Sequence, residues 1–391
     1  MKVIVTCHSY YPNNDGVQFV TQYLCEGLVK KGHEVQVVTN YYKNRNMVYE
    51  EEYNGVKIIR INAFTKHTIH FGEKKKYISL IKKLANKNDI MINVCTQCAT
   101  TDWLLNELKN IKIPKILYLH SIWDFRWRKD DFSSINALFS KFFCNFRWRI
   151  YYSINKNKFK LYNCVTQLHK MDYTTLYFKK KYNINSLVME NAAEDVFFDQ
   201  TVDDSLKLPK KYILNVSNYA KRKNQEKCLE LFFEADIPED WSLILIGSQK
   251  NKYYDNLKSK YDNLQQKFKK KKNVLFLFGI NRSQISTYVK RAKIYLMTSK
   301  WEAFPISLVE AMASKVPFIS SDVGIVKYLS GGVVCSKNNE YLYWINEFVS
   351  DDEKRLQYGT LGNMEAKKKY KIEEKVNQFE KIVIDLVKKS E

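Results

Sequence analysis

The stretch IYLMTSKWEAFPISLVEAMASKVPFISSDVG at 294–324 constrains the fold of this chain more than any other. It opens with a short apolar strand at 294–297 and breaks into the loop Thr298-Ser299-Lys300-Trp301. A helix at 305–313 follows, then a second buried strand at 317–320. Strand, loop, helix, strand is the repeating unit of a parallel sheet. Two carboxylates punctuate it. Glu302 stands in the loop after the first strand, and in such units ligands bind outside the carboxyl ends of the strands. Glu310 lies two turns further on, on a helix otherwise apolar through Ile306, Leu308, Val309 and Met312. A carboxylate there needs partners, and sugar hydroxyls qualify. Spacing alone leaves a plainer alternative, one glutamate exposed before a helix and another on its solvent face.

A chain of 391 residues suits two domains with a core each. Its 45% apolar content is that of a globular protein. No apolar run approaches the ~20 residues of a membrane span. The N-terminal MKVIVTCHSYYP reads as a first strand at 3–6 and a turn, not as a signal peptide, so the expectation is a cytoplasmic protein. Eight cysteines without a framework spacing read as free thiols, and the C-x-x-C at Cys95 and Cys98 as small loop residues. The 64 basic and 42 acidic residues leave a net charge of +22. Nucleic acid, anionic lipid and phosphorylated small molecules all suit such a charge, and biased genome composition also produces it.

Along the N-terminal half, a helical stripe at 17–31 carries Val17, Val20, Leu24 and Leu28. Gly32 ends it as a left-handed cap, and a strand at 35–39 follows. The loop at 13–16 offers backbone N–H groups to an anion at the helix start. Further strands are expected at 56–62, after an acidic turn around Glu50 to Glu52, and at 90–94 and 115–119. The last delivers His120 to the end of a strand, where side chains face the crevice of a doubly wound sheet. Residues 136–163 hold six Lys or Arg and no Asp or Glu, interleaved with Phe139, Phe142, Phe143, Phe146, Trp148, Tyr151 and Tyr152. Phe142, Phe146, Arg147, Trp148 and Arg149 suit an acceptor or membrane contact, rings at headgroup level with cations on anionic lipid. A pair of helices packed into the domain and a nucleic-acid stacking surface are the alternatives, and no nucleic-acid motif accompanies the latter.

The C-terminal half opens with a strand at 212–216 and the cationic loop Lys221-Arg222-Lys223, which leads into a helix. That arrangement makes a diphosphate clamp or a basic, solvated turn. Strands are expected at 241–246 and 274–278, separated by a solvated lysine run at 267–272. The domains are expected at 1–198 and 211–372, with a polar linker at 199–210 and a last helix at 373–391 crossing back to the first domain.

Ser-Lys-Trp-Glu-Ala-Phe-Pro, Glu-Ala-Met-Ala and Ser-Asp-Val-Gly within 299–324 resemble the donor-site signature of retaining GT-B glycosyltransferases, family 4. That family separates two glutamates by seven residues, as Glu302 and Glu310 are here. Tyr-Pro at 11–12 and Gly-His-Glu-Val at 32–35 extend the resemblance to the N-terminus. It implies an α/β fold of two Rossmann-like, doubly wound domains facing a cleft. It also implies transfer of a sugar from a nucleotide-sugar with retention of configuration, needing no cofactor and no metal. By the resemblance, Glu302, His120 and Lys223 are catalytic. Gly16, Asn218, Arg222, Gly279, Ala303, Phe304 and Glu310 bind the donor, a UDP-sugar ahead of a GDP-sugar. The expected acceptor is a glycan, a lipid-linked precursor of a surface polysaccharide, met at an anionic membrane on the inner face of the plasma membrane; nucleic acid is not an expected partner. The chain departs from the family where Asp15 replaces a glycine, Asn218 an arginine and Ala303 a glycine. These departures keep open a catalytically weak homologue that acts as an accessory subunit.

Overall fold

The computed structural model describes residues 1–13, 15–42, 47–66, 68–269 and 271–390. Asn14 of the anion-binding loop and Lys270 of the lysine run lie outside them. The chain divides into two compact units, Met1–Glu190 with Lys375–Glu391, and Asn191–Glu374. Both are α/β with Rossmann-like parallel sheets.

The first unit holds β1 (Lys2–Thr6), β2 (Glu34–Asn40), β3 (Glu50–Tyr53), β4 (Val56–Ile61), β5 (Ala63–Lys66), β6 (Ile69–Gly72), β7 (Ile90–Val94), β8 (Lys115–Tyr118), β9 (Cys164–Gln167) and β10 (Leu187–Val188). Eight of these form one sheet in the order β10-β9-β8-β7-β1-β2-β4-β3. The chain builds outward from β1 in one direction and returns at β7 to build in the other, so the order reverses between β1 and β7. Strands such as Val3 to Val5 and Ile90 to Ile92 are buried throughout, as helices on both faces of a parallel sheet require. β5 and β6 pair separately as an antiparallel hairpin; among the described strands of this sheet only β3 runs antiparallel to its neighbour, β4. The acidic turn expected around Glu50 is therefore this edge strand, whose alternating carboxylates keep the sheet edge soluble. The helix Gly16–Lys30 starts where Asp15 accepts the Gln18 N–H (2.9 Å) and stops at Gly32, whose φ is +85°. The closing helix Ile372–Lys388 buries Val376, Phe379 and Val383 in this unit. A Cβ on Gly27 would lie 2.4 Å from a Val376 methyl, so the first helix needs a glycine at that crossing.

The second unit holds β11 (Lys211–Val216), β12 (Trp241–Gly247), β13 (Asn273–Phe278), β14 (Ile294–Met297), β15 (Phe318–Ser321) and β16 (Gly332–Cys335), all parallel, in the order β13-β12-β11-β14-β15-β16. Its order reverses between β11 and β14, paired through Ile213 with Ile294 and Leu214 with Tyr295. The polar run expected as a linker at 199–210 lies in this unit. Asp199 pairs with Lys290 and Asp203 N–H bonds the Thr287 hydroxyl, so the run is fastened to the helix Arg282–Arg291.

Candidate functional site

The reversal between β11 and β14 opens the loops after these two strands side by side, the place where a doubly wound sheet binds ligands. The loop after β11 carries Arg222 and Lys223, and the loop after β14 carries Glu302. Backbone bonds stitch them together: Lys300 N–H donates to the Arg222 carbonyl (2.8 Å), and the Thr298 hydroxyl to the Asn224 carbonyl (2.8 Å). Glu302 is 8% exposed; its Oε1 takes Lys223 Nζ at 2.6 Å and its Oε2 faces Arg222 Nη1 at 3.5 Å. The Arg222 guanidinium lies 5.3 Å from the Trp301 ring centroid and donates to the Trp301 carbonyl. Two cations thus surround one carboxylate at the strand ends.

Gly324 closes this loop from below. Its φ is +56°, and a Cβ there would meet the Ala303 carbonyl oxygen at 2.3 Å, so the last residue of Ser-Asp-Val-Gly must be glycine. Ile325 N–H then bonds that carbonyl at 3.2 Å. Ala303 itself is absent from the positive-φ residues, so the methyl that replaces the family's glycine costs no backbone strain. Phe304 is core: its ring meets Tyr370 edge-on and its carbonyl takes the Asn191 side chain. Asn218 is exposed, and its carbonyl accepts a bond from Gln225. The guanidinium of this loop is that of Arg222, four residues on. Gly279 has φ +65°, and its N–H is shared between the carbonyls of Gly247 and Ser248.

The helix Ile306–Ala313 carries Glu310 at 2% exposure, bonded to Arg282. Arg282 also binds Glu194 at 2.7 Å and lies over the Phe197 ring at 5.0 Å. Burial works against its charge, but Glu310 and Glu194 outweigh that and leave its pKa raised. Burial lifts Glu194, which Arg282 partly offsets and Glu310 reinforces. By the resemblance Arg282 ends the stretch 279–282 that seats the nucleotide base largely through its backbone, with no role given to its side chain. It opens a helix just after the Gly279 turn, and its contact with Glu310 spans 28 residues.

In the first unit His120 follows β8 at 6% exposure, with no hydrogen-bond partner for Nε2 among the described residues. Burial pushes its pKa down to about 3, so the imidazole is neutral. Gly16 begins its helix, but Asp15 already occupies the Gln18 N–H that an anion would use. Of the residues expected at an acceptor or membrane surface, Phe142, Phe146 and Arg149 are exposed on the helix Ile135–Ile154. Trp148 is not: it is buried in the core with Tyr152, one helical turn away. Arg147 is half-buried and bonds the Thr68 carbonyl. The packed-helix alternative therefore holds for one face of this helix and the exposed reading for the other.

Known proteins share this fold. The family described as "Glycosyl transferases group 1" matches residues 198–362, and "Glycosyltransferase Family 4" matches residues 14–178. An uncharacterized glycosyltransferase of Methanocaldococcus jannaschii is 24% identical over 374 residues, 90% of each chain. Anabaena HepE in complex with UDP-glucose superposes with a TM-score of 0.70 at 13% identity, covering 98% of this chain and all of that one. WaaG, a glycosyltransferase involved in lipopolysaccharide biosynthesis, gives 0.65 at 15% identity over 93% and 95% of the two chains. At those identities the structures speak for the fold alone. With both halves matched by these two family models, the chain belongs to the GT-B glycosyltransferases of family 4.

Proposed function

We propose that the protein transfers a sugar from a nucleoside-diphosphate sugar to a glycan acceptor carried on a lipid, with retention of anomeric configuration. One observation carries this reading: two buried carboxylates in the second unit, Glu302 at a strand end and Glu310 on the helix that follows, with Lys223 and Arg222 beside the first. The ribose hydroxyls donate to Glu310. The sugar hydroxyls donate to Glu302, and the backbone N–H groups at Ala303 and Phe304 help to orient the ring. The bond from the anomeric carbon to the phosphate oxygen breaks as the acceptor oxygen bonds the same face. The acceptor's proton leaves with the diphosphate. Lys223 and Arg222 stabilise the negative charge on the departing group, the largest electrostatic demand of the step, without calling for a metal. His120 is assigned to the transferred sugar as a neutral hydrogen-bonding group.

A UDP-sugar is the preferred donor, in keeping with the UDP-glucose bound to HepE. A lipid-borne acceptor at the inner face of the plasma membrane accords with the role of WaaG in lipopolysaccharide biosynthesis and with the exposed aromatic helix. Thermal-shift titration with UDP, GDP, CDP and ADP tests the reading. Stabilisation by UDP that disappears in Glu310→Ala is expected, followed by slow UDP release from a UDP-sugar. No shift with any of the four overturns it and leaves the accessory-subunit reading.

A further inference from the structure

The helix Ile135–Ile154 runs for about 30 Å with one face buried through Asn145, Trp148 and Tyr152. On the other face Ile135, Phe139, Phe142, Phe143, Phe146 and Ile154 are each more than half exposed. Spaced by three and four residues from Ile135 to Phe146 and continued through exposed Ile150 to Ile154, they make a continuous apolar stripe. So many exposed rings on one face mark a binding surface. Beside it stands the β5–β6 hairpin, a feature the sequence did not announce. Its cross-strand pairs are Phe64 with Phe71 and Thr65 with His70. Side chains alternate across a ribbon, so these pairs occupy opposite faces.

The inner face is fastened. The Thr65 hydroxyl bonds His70 Nδ1 (2.9 Å), and His70 Nε2 meets Asp102 (2.8 Å). Tyr151, on the aromatic helix, donates to the same carboxylate at 2.5 Å. Arg147 of that helix bonds the Thr68 carbonyl in the hairpin turn. The outer face is left to solvent, with Phe64 and Phe71 stacked at 5.4 Å and Ile69 exposed next to them. Asp102 and Arg147 therefore hold two apolar faces in one fixed unit.

We infer that the outer face of this hairpin and the exposed stripe of the helix form one docking surface for an anionic lipid bilayer. The inference deepens the lipid-borne acceptor reading and rests on it for its purpose. Charge decides the occupant. Residues 136–163 carry Lys141, Arg147, Arg149, Lys156, Lys158 and Lys160 without one carboxylate, and Lys66 flanks the hairpin rings. Of the acids around it, Asp102 is held by His70 and Tyr151, Asp124 by Arg126 and Arg128, and Asp131 accepts the Arg128 N–H. A second copy of the chain would set these cations against their equals, whereas anionic headgroups neutralise them. No helix among the described residues is long and apolar enough to cross a membrane, so the helix lies along the surface with its rings below headgroup level.

Co-sedimentation of the full chain with phosphatidylcholine vesicles, with and without phosphatidylglycerol, tests this. Wild type is expected to bind only the anionic vesicles and to release them at high salt. Phe139→Ser with Phe143→Ser should weaken binding about tenfold or more, and Phe64→Ser with Phe71→Ser by a similar factor. UDP-induced stabilisation serves as the folding control and should persist in both double variants. Loss of binding in the helix variant alone overturns the shared surface. Wild type that ignores anionic vesicles at low salt overturns membrane docking altogether. A wild-type dimer that the helix variant dissociates would assign the stripe to a second copy. Failure of UDP binding in wild type, with vesicle binding intact, would fall on the proposed reaction and not on this surface.

Discussion

The two sheets present titratable groups at their strand ends in opposite ways. In the second unit the carboxylates of Glu302, at a strand end, and Glu310, on the helix that follows, are buried against cations: Lys223 and Arg222 for one, Arg282 for the other. In the first unit His120 is buried as a neutral group, with nothing bonded to Nε2 among the described residues. A buried carboxylate left alone would be costly, so the charged site must bring its counter-ions with it. A buried imidazole escapes that cost by giving up its proton. On the proposed reaction the charged end meets the diphosphate, the ribose and the sugar hydroxyls, and the neutral end adds an uncharged hydrogen-bonding group.

Breaking the charged end should have the largest effect. Lys223→Ala removes the cation bonded to Glu302, a cation that the proposed reaction makes the main stabiliser of the leaving diphosphate. It should lower kcat by about 10²–10³-fold in a UDP-release assay, with a smaller change in KM. A change confined to KM would mean that Lys223 binds the donor without assisting departure. Glu310→Ala comes next, with UDP affinity expected to fall about 10²-fold by calorimetry, since two hydroxyls lose an ionised acceptor. Unchanged affinity would remove Glu310 from the donor site.

A subtler substitution sharpens the comparison. Arg282→Ala leaves Glu310 in place without its bonded cation, so the carboxylate is free to turn. Arg282 is partly exposed, and the expected loss is correspondingly modest, about tenfold in UDP affinity. The specific readout is the preference for UDP over 2′-deoxy-UDP. It should shrink in Arg282→Ala and recover in part in Arg282→Lys. Equal losses for both nucleotides would make Arg282 a merely structural residue.

What the sequence disclosed follows the range of the interactions involved. Glu302 and Glu310 were legible because strand, loop and helix are contiguous there, and their geometry is fixed within seventeen residues. Arg282 was not, because only the folded sheet brings the start of its helix to Glu310. Trp148 was misplaced for a different reason. It was grouped with Arg147 and Arg149 by adjacency, whereas helical phase groups it with Asn145 and Tyr152, three and four residues away and both buried. The acidic run Glu50 to Glu52 looked like a turn because its composition is that of solvent, which an edge strand also faces. The β5–β6 hairpin escaped notice because its exposed rings reverse the usual burial of aromatics.

The neutral end of the comparison makes the smallest and most discriminating prediction. His120 titrates near 6.5 in an unfolded chain and near 3 when buried, so the folded state binds fewer protons between those values. Above pH 6.5 this residue contributes no pH dependence to stability. As pH falls from 6.5 towards 3 the unfolded chain gains a proton that the folded one refuses. Stability then drops, by at most about 1.4 kcal/mol per pH unit from this group. His120→Asn should flatten that part of the denaturation profile, the difference from wild type isolating His120 from every other titrating group. The rate of transfer should show no inflection near pH 6.5 that disappears in His120→Asn. If such an inflection exists, the imidazole is charged and solvated in the working enzyme, and the contrast between a charged and a neutral strand end no longer holds.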